Sequence, residues 1–312
     1  MNSFKHFFMI LFFLLTSLSI ALGTNPNVLA EIPWGTGADE IGLFKQPEME
    51  TLGPRCFTVN NGKVLILDYV DQGIKAFDVN TKAICKIGEK IIGSSFALGP
   101  DGSFLVLNGK SIKKISQAGA VEDSVNISGN IDLVEGYGQD VYIKNGKSLM
   151  VNNHKAKEFT IAEFQSGKLL KADAERQNGS GKPARKDDSG DQSSYDVKWM
   201  DRSTIQLCKY NKKDELIKAI DLKITDAFGG VQIKGVDSKG NVYLEVERIT
   251  PDNYVHLDIK KINRAGKEVS SIELINNYFT TVYKKTEIDS AGNIYQMVTD
   301  KDGVKILLWT MP

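Results

Sequence analysis

Histidine side chains are the first candidates for chemistry in this chain, because imidazole is the usual base of a nucleophile triad and a common metal ligand. Only three occur: His6, His154 and His256. His256 alternates with Tyr254 and Asp258 along a predicted strand, which is typical of a solvated polar strand face. His154 follows two asparagines and indicates an exposed turn. We therefore predict no catalytic residue from the histidines.

Two further segments partly match ligand-binding loops. Asp187, Asp188 and Asp191 lack the alternating spacing of a calcium loop. Residues 179–183 (GSGKP) end in Pro where a phosphate-binding loop needs Ser or Thr, and Arg176 replaces its first Gly. We predict neither a cofactor nor a metal site from these motifs. Carboxylates and amides from separate segments could still converge on a metal ion, which spacing alone does not reveal.

The composition is that of an ordinary globular protein. The 312 residues include 39 Lys and Arg, 39 Asp and Glu, and 41% hydrophobic residues, and the pI is about 6.8. A chain of zero formal charge has no overall field to attract polyanions, so we predict no nucleic-acid partner.

The first 23 residues have the pattern of a secretory signal. Lys5 and His6 precede an almost wholly apolar run that extends to Leu22. Cleavage is predicted after Gly23, with Ala30 as a later alternative. The run of about 16 apolar residues is shorter than the ~20 that span a bilayer, which favours cleavage over an uncleaved anchor. The predicted location is secreted, periplasmic or cell-envelope, with no integral membrane insertion beyond the signal.

Short apolar strands follow Asn- or Asp-containing turns along most of the chain. The turn glycines lie 36 to 52 residues apart in two series, Gly62, Gly102 and Gly138, then Gly240 and Gly292. A strand precedes each turn and further strands follow it. A repeated unit of about four strands in 36 to 52 residues predicts an all-β fold, a six-bladed β-propeller.

The segment 174–194 is polar and rich in Gly, Ser and charge, and predicts a flexible insertion. We place it between a first strand at 168–172 and a second at 197–199 of one blade. Without it, the chain provides about 45 residues for each of six blades. The predicted domain organisation is a signal at 1–23 and one propeller domain at 31–312.

The two chain ends are predicted to share a blade. The last strand, 304–309, ends within three residues of the C-terminus, and residues 29–44 have no blade of their own. An open ring would expose sheet edges. We therefore expect the N-terminal segment to pair with the C-terminal blade and close the ring.

Residues 53–78 resemble the NHL-type repeat. Gly62, Val64, Leu65, Asp68, Ile74 and Phe77 match its pattern, whereas Gly73 stands where Arg is usual. Asn108 and Lys144 replace the Asp in the next two repeats. The chain also resembles exported bacterial propellers that begin with Trp-Gly and Glu-Ile-Gly, here at 34–35 and 40–42. These resemblances imply a fold and no particular ligand.

The strand assignment also predicts the state of the cysteines. Cys56 precedes an innermost strand, and Cys85 falls near the outermost strand of the same blade. About three strand spacings of ~4.8 Å would separate them, whereas a disulfide requires Cα atoms within about 7 Å. We predict no bond between Cys56 and Cys85.

The candidate binding residues lie in loops that a propeller places around the mouth of its channel. These loops enter the innermost strands or join the second strand to the third, and such loops commonly carry recognition. The candidates are Arg55, Tyr69, Asp71, Gln72 and Arg248. Trp34, Trp199 and Trp309 could stack on sugars, but packing between blades is favoured.

The sequence is compatible with three functions. The favoured one is an exported, non-catalytic propeller that binds a protein or a cell-envelope polymer through its channel-mouth loops. The alternative is a lactonase-like metal-dependent hydrolase or lyase that uses clustered carboxylates. The third is a structural subunit of a surface assembly, suggested by the insertion.

Overall fold

The computed structural model describes residues 25–98, 102–108, 111–126, 133–137, 140–144, 148–152, 194–211, 215–224 and 227–311. These residues form 22 strands, and none of them is helical. The predicted all-β class is confirmed. The predicted signal, the strand at 168–172, nearly all of the insertion and His154 lie outside the described residues.

The strands form six antiparallel sheets, here called blades one to six. The chain begins with β1 (Asn27–Pro33). Blade one contains β2 (Cys56–Asn60), β3 (Lys63–Asp68), β4 (Gly73–Asp78) and β5 (Ile84–Ile87). Blade two contains β6 (Ser95–Leu98), β7 (Phe104–Asn108), β8 (Ser111–Ile115) and β9 (Val121–Asn126). Blade three contains β10 (Leu133–Tyr137), β11 (Asp140–Lys144) and β12 (Ser148–Asn152).

The second half of the chain repeats this arrangement. Blade four contains β13 (Ser194–Trp199), β14 (Thr204–Tyr210) and β15 (Leu216–Lys223). Blade five contains β16 (Ala227–Val236), β17 (Val242–Ile249), β18 (Val255–Ile262) and β19 (Glu268–Leu274). Blade six contains β20 (Thr286–Ile288), β21 (Ile294–Thr299) and β22 (Gly303–Trp309), and its fourth strand is β1.

Among the described residues, contacts join blades one and two, two and three, four and five, five and six, and six and one, and they include the innermost strands β2, β6, β16 and β20. Buried apolar clusters fill the spaces between blades six and one, one and two, four and five, and five and six. A sheet buries a face only by packing against another element, so each blade depends on its neighbours. The predicted six-bladed propeller is the observed architecture.

The antiparallel order of strands defines two faces of the propeller. An innermost strand begins, a second strand ends and a third strand begins at the same end of each blade. We call this end the mouth face. It carries residues 69–72 between β3 and β4, residues 250–254 between β17 and β18, and the segments that lead into β2, β6, β16 and β20.

The strands of blade four can be ordered from the turn at 200–203. The amide of Ile224 donates to the carbonyl of Ser203 (2.6 Å), and the amide of Phe228 donates to that of Arg202 (3.3 Å). Phe228 begins the innermost strand β16, so the turn between β13 and β14 lies on the mouth face. By that criterion β13 to β15 are the second to fourth strands of their blade, which agrees with the predicted second strand at 197–199.

The turns between the first and second strands of blades five and six have the same structure. Asp237 accepts hydrogen bonds from the amide and side chain of Asn241 and from the hydroxyl of Tyr243, and Asp289 does the same for Asn293 and Tyr295. These carboxylates are therefore used within their turns. The Asp-x-x-Gly-Asn-x-Tyr pattern in the sequence encodes a turn rather than a ligand site.

The two chain ends pair as predicted. Strand β1 is antiparallel to β22, with a register that runs from Asn27 opposite Leu308 to Pro33 opposite Gly303. The side chains of Ala30 and Ile32 are buried in the apolar cluster between blades six and one. The N-terminal segment thus supplies the fourth strand of the last blade.

The chain then crosses the mouth face from blade six to blade one through residues 34–44, here called the strap. The indole of Trp34 donates to the carbonyl of Asp300 in blade six (2.9 Å). The amide of Gly42 donates to Asp68 in blade one (2.8 Å), and the buried ammonium of Lys75 donates to the carbonyl of Gly37 (2.9 Å). The strap therefore joins the first and last blades.

Substitution of Gly42 by Ala is expected to loosen this junction. A Cβ atom at this position would lie 2.6 Å from the Cβ of Val70 and 2.8 Å from Oδ1 of Asp68. Such overpacking costs about 1–3 kcal/mol of unfolding free energy, to be measured by denaturant titration. Gly37→Ala is the matched control, because the added Cβ would mainly approach the flexible side chain of Glu40. Equal stability of wild type and Gly42→Ala would contradict the close contact of Gly42 with Asp68 and Val70.

The three thiols are expected to differ in reactivity. All are free; Cys56 and Cys208 are buried, and Cys85 is exposed on the fourth strand of blade one. In the native protein, a thiol reagent should modify one cysteine quickly and the other two only on unfolding. Cys85→Ser should abolish the fast reaction. Two fast thiols in the wild type would be incompatible with the burial of Cys56 and Cys208.

Candidate functional site

The loop after β3 is organised by Asp68, the fully buried last residue of that strand. Its Oδ1 accepts hydrogen bonds from the amides of Val70 (3.1 Å) and Asp71 (2.9 Å), and its Oδ2 accepts the one from Gly42. Burial raises the pKa of this carboxyl, and the amide donors oppose that shift. The Asp that carries the resemblance to the NHL-type repeat thus holds the strap and shapes residues 69–72.

Arg55 and Tyr69, two of the predicted binding residues, are in contact. The guanidinium carbon of Arg55 lies 4.5 Å from the centroid of the Tyr69 ring. It also lies 5.1 Å from the ring of Tyr283, in the segment that leads into β20 of blade six. Both distances are within the range of cation–π attraction. The three side chains form a cluster across the junction of blades six and one, here called the Arg55 cluster.

The backbone fixes the same junction. The amides of Tyr283 and Lys284 both donate to the carbonyl of Arg55, at 2.8 and 3.1 Å. Just below, the thiol of Cys56 is completely buried, and burial raises its pKa to about 12. Lys284 and Arg55 oppose that shift electrostatically. Cys56 is therefore an inert thiol beneath two cationic side chains, and it has no features of a nucleophile.

Asp71 and Gln72 have structural contacts of their own. The carboxylate of Asp71 is paired with Lys75 (2.9 Å) and Lys86 (3.4 Å) on β4 and β5. Gln72 is exposed, adopts a φ of 52°, and its carbonyl accepts a hydrogen bond from the amide of Ile91 (2.8 Å). Asp71 thus anchors its loop through charge, and the side chain of Gln72 remains at the surface.

Arg248 belongs to a different group of polar residues on blade five. It lies within β17, near the mouth-face end, rather than in a connecting loop. Its Nε donates to the buried carboxylate of Asp258 (2.8 Å), and it pairs with Glu273 at 3.5 Å. Glu273 also lies 2.7 Å from Nδ1 of His256. The structure therefore does not place Arg248 in the Arg55 cluster.

The blade-five network borders an open cavity of 370 Å³. Its walls include Tyr254, His256, Glu273, Ile275 and Asn276. The ring of Tyr254 packs edge-on against that of His256, with centroids 5.1 Å apart. His256 is partly exposed, and its hydrogen bond to Glu273 fits the predicted polar strand face.

Exposed apolar side chains are concentrated on the mouth face. Fourteen large apolar side chains are exposed among the described residues. Nine of them lie on this face, in the strap and its continuation, in the turns or at the mouth-face ends of strands: Phe44, Met49, Ile92, Trp199, Met200, Tyr254, Val255, Ile275 and Tyr283. The other five lie near the opposite ends of β1, β9, β15 and β19.

The packing expected of the three tryptophans is correct for Trp309, which is buried between blades five and six, and Trp34 is partly buried against the cluster between blades six and one. It is wrong for Trp199, which is 47% exposed. Trp199 ends β13 at the mouth face and contacts the edge of Phe228, with ring centroids 4.6 Å apart. Trp199 is the last residue of β13, so its indole lies at the edge of the blade.

No group of three His, Cys, Asp or Glu side chains that could hold a metal ion occurs in the part of the chain that the structure describes. Within the same residues, no helix is long and apolar enough to span a membrane.

Tyr283 is the residue of the Arg55 cluster that sequence reasoning missed. A usable signal existed, because Tyr283 lies three residues before β20, in a segment that enters an innermost strand. Arg55 precedes β2 in a similar position. Adjacency of blades one and six brings these two segments together.

No family model and no curated protein matches this chain. Among solved structures, regucalcin from Agrobacterium tumefaciens, a calcium-binding protein, aligns with a TM-score of 0.51 and 11% identity over 92% of this chain and 94% of its own. A PQQ-bound aldose sugar dehydrogenase from Streptomyces coelicolor aligns at 0.46 and 12% over 93% and 99%. The Pan2 WD40 domain of Neurospora crassa aligns at 0.45 and 9% over 87% and 80%. At such identities, the similarity to regucalcin supports the propeller fold alone.

Asp71 is expected to make stability depend on acid pH. Burial alone would raise its pKa, but Lys75 and Lys86 outweigh burial and hold the pKa below its ordinary value of 3.8. A carboxyl with a lowered pKa in the folded state stabilises the fold above 3.8, and this contribution is lost as pH falls below that value. Asp71→Asn should cost about 1–3 kcal/mol at pH 7, because it leaves buried Lys75 without its counter-charge.

The measurement is the unfolding free energy of wild type and Asp71→Asn at pH 7 and pH 3. The difference between the two proteins should shrink at pH 3. An undiminished difference would show that the Asp71 charge contributes nothing to stability.

Proposed function

We propose that this chain is an exported, non-catalytic propeller, of the type with NHL-like repeats, that binds a protein or a cell-envelope polymer through its mouth face. Export is supported by the signal pattern of residues 1–23. The repeat type is supported by the role of Asp68, which closes the second strand of blade one and shapes the following loop.

The observation that carries this proposal is the distribution of exposed apolar side chains. Nine of the fourteen described ones lie on the mouth face and come from several blades. Apolar side chains gathered on one surface commonly mark a site of protein interaction, whereas scattered single residues do not. The mouth face is therefore the surface best suited to a macromolecular partner.

The residue types of the Arg55 cluster support the same surface. Tyr and Arg dominate the binding energy of many interfaces, because they combine a large apolar area with polar groups at the edge. Tyr283 is 51% exposed and Tyr69 is partly exposed. Backbone hydrogen bonds from blade six fix the main chain at Arg55, so little backbone ordering would be needed on binding.

The experiment is site-specific photo-crosslinking in the natural host. A photo-reactive amino acid replaces Tyr283 on the mouth face, or Ile217 as the matched control. Ile217 is 53% exposed at the start of β15, toward the opposite face. We expect a discrete adduct from position 283 and none from position 217. Mass spectrometry of the adduct identifies the partner, and the mature N-terminus is read from the same sample.

Two results would contradict the proposal. One is the same adduct pattern at positions 283 and 217, or no adduct at position 283. The other is lactone hydrolysis or polysaccharide cleavage by the purified protein with added Ca²⁺ or Zn²⁺, which would instead support the metal-dependent hydrolase or lyase.

A further inference from the structure

The guanidinium of Arg55 is in contact with two aromatic rings. The rings of Tyr69 and Tyr283 approach it at 4.5 and 5.1 Å, measured from the guanidinium carbon to the ring centroids. The N–H groups of arginine lie in the guanidinium plane, whereas aromatic rings interact best with its faces. Contact with the two rings therefore does not supply hydrogen-bond acceptors for its five donors.

The donors of Arg55 have no acceptor among the described residues. Its Nε is buried and makes no hydrogen bond, and no described carboxylate is within ion-pair distance of the guanidinium. Arg248, on the same face, shows the ordinary arrangement, since its Nε donates to Asp258 at 2.8 Å. A buried donor without an acceptor is rare in folded proteins and calls for an explanation.

A second cationic side chain, that of Lys284, lies near Arg55. Lys284 follows Tyr283, and its amide donates to the carbonyl of Arg55 (3.1 Å). Lys284 and Arg55 are both close enough to act electrostatically on the thiol of Cys56. The ammonium of Lys284 is paired with Glu287. Arg55 is therefore the cation of this pair that has no carboxylate within ion-pair distance among the described residues.

We infer that the Arg55 cluster binds an oxyanion, a carboxylate or phosphate group, through the in-plane N–H groups of Arg55. This inference rests on the proposed function, because it specifies the chemical group that the mouth face recognises on its partner. The guanidinium edge matches two oxygens of a carboxylate or phosphate with two parallel hydrogen bonds. The two tyrosines position Arg55 and line the site, and Tyr283, at the surface, contacts the part of the partner that carries the anion.

The test observes Arg55 directly in the mature protein. The Nε–H signals of ¹⁵N-labelled arginine are followed by NMR during titration with inorganic phosphate and, separately, with glutarate, at constant ionic strength set by sodium chloride. The Arg55 signal is assigned from its loss in Arg55→Lys, or from its shift in Tyr69→Phe if the former does not fold. We expect a saturable shift of the Arg55 signal with at least one probe. The probe that saturates at the lower concentration identifies the preferred oxyanion.

Arg202 provides the matched control, because it is an exposed arginine in the mouth-face turn of blade four. Its signal should show only weak, non-saturating changes, and Arg202→Gln should leave binding unchanged. Arg55→Lys keeps the charge but lacks the planar pair of donors, and should weaken binding at least tenfold, measured by calorimetry with the preferred probe. Parallel, non-saturating shifts of Arg55 and Arg202 with both probes would overturn the inference. A discrete crosslink at position 283 together with that result would leave the proposed function standing.

Discussion

The pairing of the two chain ends is the constraint on which the mouth face depends. Strand β1 completes blade six, and the strap that follows it crosses to blade one, where Asp68 and Lys75 receive it. Asp68 uses one carboxylate oxygen for the strap and the other for the loop after β3. The buried side chain of Asp68 therefore both binds the strap and shapes the loop of the candidate site.

The Arg55 cluster shows how this junction becomes a site. Its residues come from the segment that enters β2, the loop after β3, and the segment that enters β20, so neither blade contains the cluster alone. The carbonyl of Arg55 ties the segment before β20 to blade one through two backbone hydrogen bonds. Because the scaffold rather than a ligand fixes the backbone at Arg55, the proposed site would need little backbone ordering when a partner binds.

The sequence predicted the features that depend on local patterns. Gly turns, short apolar strands and the Asp that ends β3 were sufficient for the six blades and the pairing of β1 with β22. The remaining features depend on contacts between distant segments. Tyr283 lies 228 residues after Arg55 in the chain, and the pairing of Arg248 with Asp258 and Glu273 required the register of three strands. The predicted packing of Trp199 between blades was wrong because its exposure depends on the residue at which β13 ends.

Native-state hydrogen exchange tests this dependence most directly, with the protection of residues 27–44 compared with that of β21 and β22. If the strap and β1 complete the last blade, peptides from 27–33 should exchange as slowly as those from 294–309, and the amide of Gly42 should be protected with them. Rapid exchange throughout 27–44, beside a protected blade six, would show that the chain end is not fastened and that the mouth face is not built as described.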